Sequence, residues 1–303
     1  MSFTLAHLSD AHLAGLRKRE ILRNFSSKRM IGAVSWFGNR KRRHQLAIAN
    51  AVRDSILDAK VDHIALTGDL VNIATWNEFP AAATWVSSFG PPDRLSFVPG
   101  NHDTYVSVPW ENGLKHLTPW MTPDRHEATA ETTLFPYVRM RRTMALIGLN
   151  SGRPQNFFSA AGTVGEQQLR DLKHILAMLG QQGFYRVVMI HHPPLPGLAP
   201  LRKALTDAAA LKQVLVEEGC ELVLHGHNHR FMLNWIETRS GHTPVIGAPS
   251  ASIQGDKFHE PAGWNNFHIQ RKQGYWQTEL TVQRWSQASA QIERGQTITL
   301  SPP

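Results

Sequence analysis

The chain has a single cysteine, Cys220, in 303 residues. A lone thiol has no disulfide partner within the monomer, and thiolate cages for zinc or iron–sulfur clusters need several cysteines, so both are excluded. Cys220 precedes a short apolar run and reads as a small buried hydrophobe. No apolar run approaches the roughly 20 residues that span a bilayer. No leader pattern is visible, because the first apolar run begins almost at Met1. The expectation is a cytoplasmic protein, or one peripheral to the inner face of the membrane. Acid is scarce in one place: from Arg17 to Arg43 there are ten basic residues against Glu20 alone. Since the formal charge is +8 overall, the whole basic balance belongs to this insert. The 42% hydrophobic content is enough for a sizeable core in one large domain.

Against these absences stands one dense pattern. Asp10-Ala11-His12, Gly68-Asp69, Gly100-Asn101-His102-Asp103, His191-His192-Pro193-Pro194 and Gly226-His227-Asn228-His229 occur in that order. Each follows a short apolar run that predicts a buried strand: Phe3 to Leu8, Ile64 to Thr67, Leu95 to Val98, Val187 to Ile190 and Leu222 to Leu224. The polar residues therefore fall at strand ends, where open α/β sheets gather their ligand-binding groups. Carboxylates, imidazoles and an amide oxygen without thiolate suit manganese, iron, zinc or cobalt. Asp10 and His12, two apart on an extended strand end, are expected to point to the same side, as are His227 and His229. The glycines at 68, 100 and 226 let the backbone turn and keep side chains clear of an ion.

This pattern resembles the calcineurin-like metallophosphoesterase superfamily, nearest its class III cyclic nucleotide and glycerophosphodiester phosphodiesterase branch, over roughly residues 3 to 255. The resemblance implies a four-layer α/β/β/α sandwich with two metal ions, divalent or trivalent, at the top of the central sheets. It implies Asp69 as the carboxylate shared by both ions. Asp10, His12 and His229 would complete the first ion's protein ligands, and Asn101, His191 and His227 the second's. Of the adjacent pair the family ligand is His191, with His192 the alternative; His7 and His225 read as structural. Paired ions roughly 3.5 to 4 Å apart bind the attacking and leaving oxygens of an in-line displacement and lower the pKa of a bridging water from about 16 toward about 7. His102 is implied to protonate the leaving oxygen or stabilise the transition state, with Asp103 fixing its tautomer.

The activity so implied is a phosphoester hydrolase, most simply a phosphodiesterase using metal-bridged hydroxide. Hydrolysis of the pyrophosphate in a nucleotide-linked lipid precursor, as by the superfamily's UDP-diacylglucosamine pyrophosphatases, is the second reading. A nuclease is less expected, because no recognisable reading module accompanies the basic run. A non-catalytic membrane- or partner-binding scaffold has no need of the complete ligand set seen here.

The insert, 17–43, interleaves its charges with Ile21, Leu22, Phe25, Met30, Ile31, Val34, Trp36 and Phe37. Basic residues with exposed aromatics make a membrane-surface element; a solvated helical hairpin is the plainer alternative. At roughly 1 kcal/mol per Lys or Arg near an anionic leaflet, half of the ten give about 5 kcal/mol. Vesicle sedimentation unchanged by deleting 17–43 would exclude that role. Elsewhere the spacing predicts helices over His44 to Lys60, Trp76 to Phe89, Gly165 to Gly180 and Asp207 to Glu218. Residues 105–134 are expected to form a cap loop over the site. A hairpin follows from Phe135 to Leu149, and short strands from Phe231 to Val282 should complete the second sheet. Residues 1–286 read as one domain and 287–303 as a polar tail.

Overall fold

The apolar runs ahead of the five motifs form the parallel strands of two sheets. A computed structural model describes residues 2–13, 26–36, 38, 41–124, 135–156, 158–239 and 241–300. In the first sheet β1 (Ser2–Leu8), β2 (His63–Leu66) and β3 (Leu95–Phe97) are parallel. The strands β10 (Gly263–Lys272), β11 (Tyr275–Ser286) and β12 (Gln291–Thr299) extend it antiparallel, in the order β12-β11-β10-β1-β2-β3. The second sheet runs β4-β5-β6-β7-β9-β8, from β4 (Tyr137–Arg141), β5 (Met144–Gly148), β6 (Tyr185–Met189), β7 (Leu222–His225), β8 (Met232–Thr238) and β9 (Gly241–Gly247). Its β5, β6, β7 and β9 are parallel.

Side-chain alternation builds the layers. Val187 and Met189 of β6 join the cluster that includes β1 and β2, whereas Val188 and Ile190 join Leu172, Leu176, Leu211 and Leu215. These leucines lie on α4 (Glu166–Gln181) and α5 (Ala208–Glu218), which cover the second sheet. On the first sheet α2 (Leu46–Asp58) buries Ile48, Val52 and Ile56, and α3 (Glu78–Ser87) buries Phe79 and Val86. The result is the α/β/β/α sandwich. Each such buried side chain contributes roughly 1.5 to 3 kcal/mol, so the strand ends stand on a rigid base.

Three expectations change. The strands after β9 join the first sheet rather than the second: β10 pairs with β1 from Ser2↔Gln270 to His7↔Asn265. The 287–303 stretch carries β12, which is mostly exposed at the sheet edge, so its polarity is edge composition. In 105–134, the described residues 105–124 form short 3₁₀ turns, Trp110–Asn112 and Leu114–Trp120, packed beside β3 and α3. They bury Leu117, Trp120 and Met121, and Tyr105 stacks on His102. The buried guanidinium of Arg139 holds them by donating to the carbonyls of Pro119 and Thr122. Residues 125–134 lie outside the described residues.

Of the basic insert, residues 17–25, 37, 39 and 40 lie outside the described residues. Helix α1 (Ser27–Ser35) is capped by Ser26 Oγ, which accepts from Arg29 N. Lys28 Nζ donates to the carbonyls of Tyr105 and Gln155, and Arg29 to those of Ile73 and Ala74, so two charges point inward. Trp36, expected among the exposed aromatics, is buried with Ala33 and Ile73. Cys220 is free and buried. Among the described residues no helix is long and apolar enough to cross a membrane.

Candidate metal centre

The seven residues expected to hold metal come together where β1, β2, β3, β6 and β7 end. Backbone pairing continues beyond the strands, with Asp10 N–H donating to Gly68 O and His12 N–H to Asp69 O. The chain there is not extended. Asp10, His12, Asp69, His227 and His229 all have left-handed φ, between 41° and 71°. Asp10 and His12 therefore share a side through paired left-handed turns, not strand pleating, and His227 and His229 repeat this. Such conformations cost of order 1 to 3 kcal/mol each and cluster at functional sites. Gly100 and Gly226 matter for their bareness. A Cβ on Gly226 would lie 2.6 Å from Asp10 Oδ2, and one on Gly100 would collide with Asp69 Oδ1.

One carboxylate oxygen joins two donor sets. His191 Nε2 lies 3.3 Å from Asp69 Oδ2, 3.1 Å from Asn101 Oδ1 and 3.2 Å from His227 Nδ1. The same Asp69 oxygen is 3.7 Å from His12 Nε2, which is 3.3 Å from His229 Nε2. His229 Nε2 is in turn 3.2 Å from Asp10 Oδ1. Four further atoms of these groups are anchored. Asp69 Oδ1 accepts from His102 N–H at 2.7 Å and Asp10 Oδ2 from His227 N–H at 2.9 Å. His191 Nδ1 donates to Thr67 O at 2.6 Å and His12 Nδ1 to Val71 O at 3.3 Å. Carbonyls only accept, so Nδ1 carries the proton and each ring turns the lone pair of Nε2 inward.

Lone pairs that face lone pairs call for a cation. Asp10 Oδ1 is buried without a hydrogen-bond donor, and Asp69, His191 and His227 place donor atoms within 4.8 Å of one another. This donor set fits metal ions. Burial raises the Asp69 carboxyl, but His191, His102 and His12 outweigh it and hold it well below the usual range. Burial likewise opposes ionisation of Asp10, and His229 outweighs it. Burial also lowers His191, but the Asp69 carboxylate prevails and pushes it up to about 9. The metal-free centre thus keeps a proton on His191 that an ion must displace. Apparent metal affinity is expected to rise about tenfold per pH unit up to about pH 9, and to flatten above it. Calorimetry in two buffers of different ionisation enthalpy reads the released proton; none released at pH 7 contradicts this.

The neighbouring imidazoles are committed elsewhere. His192 Nδ1 pairs with Ser151 Oγ at 2.7 Å and its Nε2 donates to Ala160 O at 3.0 Å. Burial pushes its pKa down to about 3, and those of His7 and His225 to about 3 and about 4. His191 is therefore the member of its pair that faces the centre.

His102 Nδ1 donates to Asn72 O, with the ring stacked on Tyr105 at 5.6 Å and edge-on to His12 at 4.8 Å. Asp103, expected to fix that tautomer, does other work. Its carboxylate accepts from the backbone N–H groups of Asp69, Leu70, Val71 and Gly100 at 2.8, 2.9, 3.1 and 2.8 Å. It locks the loop bearing Asp69 to the loop bearing Asn101, and the Asn72 carbonyl orients His102 instead. Burial, with Asp69 nearby, pushes Asp103 up to about 7, while the N–H donors of Gly100 and Val71 pull the other way. Asp103→Ala strands four buried donors, each worth about 1 to 3 kcal/mol in isolation. Urea unfolding of the metal-free protein is expected to show a loss of at least about 3 kcal/mol; a loss below about 1 kcal/mol contradicts the tether.

The centre opens into a cleft of about 1040 Å³ lined by Asp69, Asn101, His102, His227 and His229. Four cations, Arg43, Arg202, Lys203 and Arg230, also line it, with Phe258, Glu260 and His44. Sequence reasoning missed His44, the Asn72 carbonyl and most of these cations. Only Arg43 carried a signal, as the end of the basic run that leaves the first motif.

Residues 3–231 match the family model of the calcineurin-like phosphoesterases. The chain belongs to the calcineurin-like phosphoesterase family. It is thereby a member of a metal-dependent phosphoester hydrolase family, and its clustered histidines and aspartates are compatible with the dinuclear centre that family uses. No curated protein matches it in sequence. A dimetal phosphatase from Danio rerio shares the fold at 16% identity and TM-score 0.61, over 99% of each chain. A purple acid phosphatase from yellow lupin does so at 11% and 0.57, covering 99% of this chain and 54% of that one. The NAD nucleotidase of Haemophilus influenzae does so at 13% and 0.53, with 99% and 54% covered. This calcineurin-like phosphoesterase spans about half the length of the last two, and at these identities the likeness is one of fold.

Proposed function

We propose that this calcineurin-like phosphoesterase is a phosphodiesterase of the class III cyclic nucleotide and glycerophosphodiester kind. The observation that carries the proposal is the Asp69 carboxylate shared between the Asp10–His12–His229 and Asn101–His191–His227 sets, with His102 beside them in the cleft. Those sets would hold the two ions, which when bound supply Lewis acidity that lowers the pKa of water from about 16 toward about 7. Asn101 contributes a neutral oxygen, so the centre stays electropositive toward a phosphate. His102, its Nδ1 tied to Asn72 O and its ring backed by Tyr105, presents Nε2 to the departing ester oxygen. In the imidazolium form it stabilises the charge on that oxygen and delivers the proton.

A phosphodiester carries one charge at phosphorus and an arm on each side. Imidazoles, carboxylates and an amide make up the donor sets, while Arg43, Arg202, Lys203 and Arg230 line the cleft around them. Hydrolysis of bis-(p-nitrophenyl) phosphate beside the corresponding monoester, by metal-stripped protein refilled with manganese, tests the proposal with Asp69→Ala as the blank. A diester preference is expected, and a monoester preference overturns it. Turnover of neither ester, with two ions bound, would favour the nucleotide-linked lipid pyrophosphate. The basic wall and Phe258, which is 78% exposed, support that second reading.

For the basic insert, 17–43, we propose an anionic membrane surface as partner, at the cytoplasmic face. Met30, Ile31 and Val34 support this by facing solvent on α1. With Lys28 and Arg29 turned inward and Arg43 at the cleft, half of the remaining seven basic residues give roughly 3 to 4 kcal/mol.

A further inference from the structure

One imidazole at the centre has no counterpart among the expected ligands. His44 follows the basic run, is 3% exposed, and is pinned by its backbone against the segment after β9, bridging Ile253 while Gln45 N–H donates to Ser252 O. Its ring lies 4.5 Å from that of His12 and 5.6 Å from that of His229, with the buried Trp36 stacked at 6.3 Å and 17°. His12, His44 and His229 each bring a donor atom within 4.8 Å of the others, as closely as Asp69, His191 and His227 do.

A hydroxyl chain selects the nitrogen. Ser250 Oγ donates its only proton to Asp10 O at 2.7 Å. Ser250 Oγ also accepts from Ser252 N–H, and the Ser252 hydroxyl pairs with His44 Nδ1 at 2.7 Å, which occupies that nitrogen. With Nδ1 engaged there, Nε2 is the nitrogen that would bind an ion. This is the arrangement that the Thr67 and Val71 carbonyls impose on His191 and His12.

We propose that His44 is an additional metal ligand, binding through Nε2 the same ion as Asp10, His12 and His229. The proposal rests on the paired-metal reading above and makes the two positions chemically unequal. One has three imidazoles and two carboxylates; the other has two imidazoles, the shared carboxylate and an amide. A nitrogen-rich position binds cobalt or zinc more tightly than manganese. The insert thereby acquires a second role: through Trp36 it braces a ligand, coupling its own folding to occupancy of one position.

The test is calorimetric titration of cobalt(II) into metal-free wild type, His44→Ala and the more conservative His44→Gln, with circular dichroism to establish folding and the visible cobalt spectrum recorded at each point. In wild type two binding steps are expected. In both variants one step should weaken about 10- to 100-fold while the other stays put, with part of the cobalt d–d absorption lost. Added imidazole should restore the weakened step in the alanine variant. Two wild-type steps in a folded variant would overturn the proposal, as would equal weakening of both. Fewer than two steps in wild type would instead strike at the paired-metal reading, so the two failures are distinguishable.

Discussion

Asp69→Ala is expected to leave the fold intact, to drop bound metal from two ions per chain to one or none, and to lower kcat/KM by at least about 10⁴. The size follows from geometry. Asp69 Oδ2 is the atom common to both donor sets, 3.3 Å from His191 Nε2 and 3.7 Å from His12 Nε2, while Oδ1 is fixed by His102 N–H. Removing the side chain takes away the anion that lets two cations sit close together, and frees the loop that carries Asn101 and His102. Asp69→Asn keeps the volume and an acceptor for His102 N–H but loses the charge, so its loss separates electrostatics from positioning. Elemental analysis after dialysis, paired with the diester assay, checks this. Two retained ions in Asp69→Ala contradict the bridging assignment.

His102→Ala is expected to lower kcat by about 10² to 10⁴ with both ions retained. His102 bonds Asp69 Oδ1 through its backbone N–H, which alanine keeps, and its ring lies edge-on to that of His12. What alanine removes is the Nε2 proton donor, oriented by Asn72 O and Tyr105. The deficit should therefore depend on the leaving group, being large for an alkyl diester, whose alkoxide needs a proton, and small for a nitrophenyl diester. An equal loss with both esters, or loss of metal, contradicts a role as acid and makes His102 a structural residue or a ligand.

How much of this was legible in the sequence depends on the range of the interactions. The strand ends were, because β1, β2, β3, β6 and β7 are largely buried and read as mostly apolar runs closed by polar motifs. The side chains gathered there came with them. The backbone that aims those side chains was not legible: five left-handed residues hold the geometry that an extended strand end was expected to supply. Asp103 serves the centre differently from what its motif implies, since nothing in Gly100-Asn101-His102-Asp103 tells that its carboxylate closes on N–H groups more than thirty residues upstream. His44 was invisible because Ser252, Trp36 and His12 meet it only once the chain has folded. β12 reads as a tail in the sequence because its two core-facing residues, Ile292 and Ile298, are too few among polar ones to announce an edge strand.

The most direct test of the central claim is anomalous diffraction from crystals grown with manganese. Two peaks of comparable height, roughly 3.5 to 4 Å apart with Asp69 Oδ2 between them, are predicted, one flanked by Asp10, His12 and His229 and the other by Asn101, His191 and His227. A single peak, or two that do not share Asp69, would contradict the account.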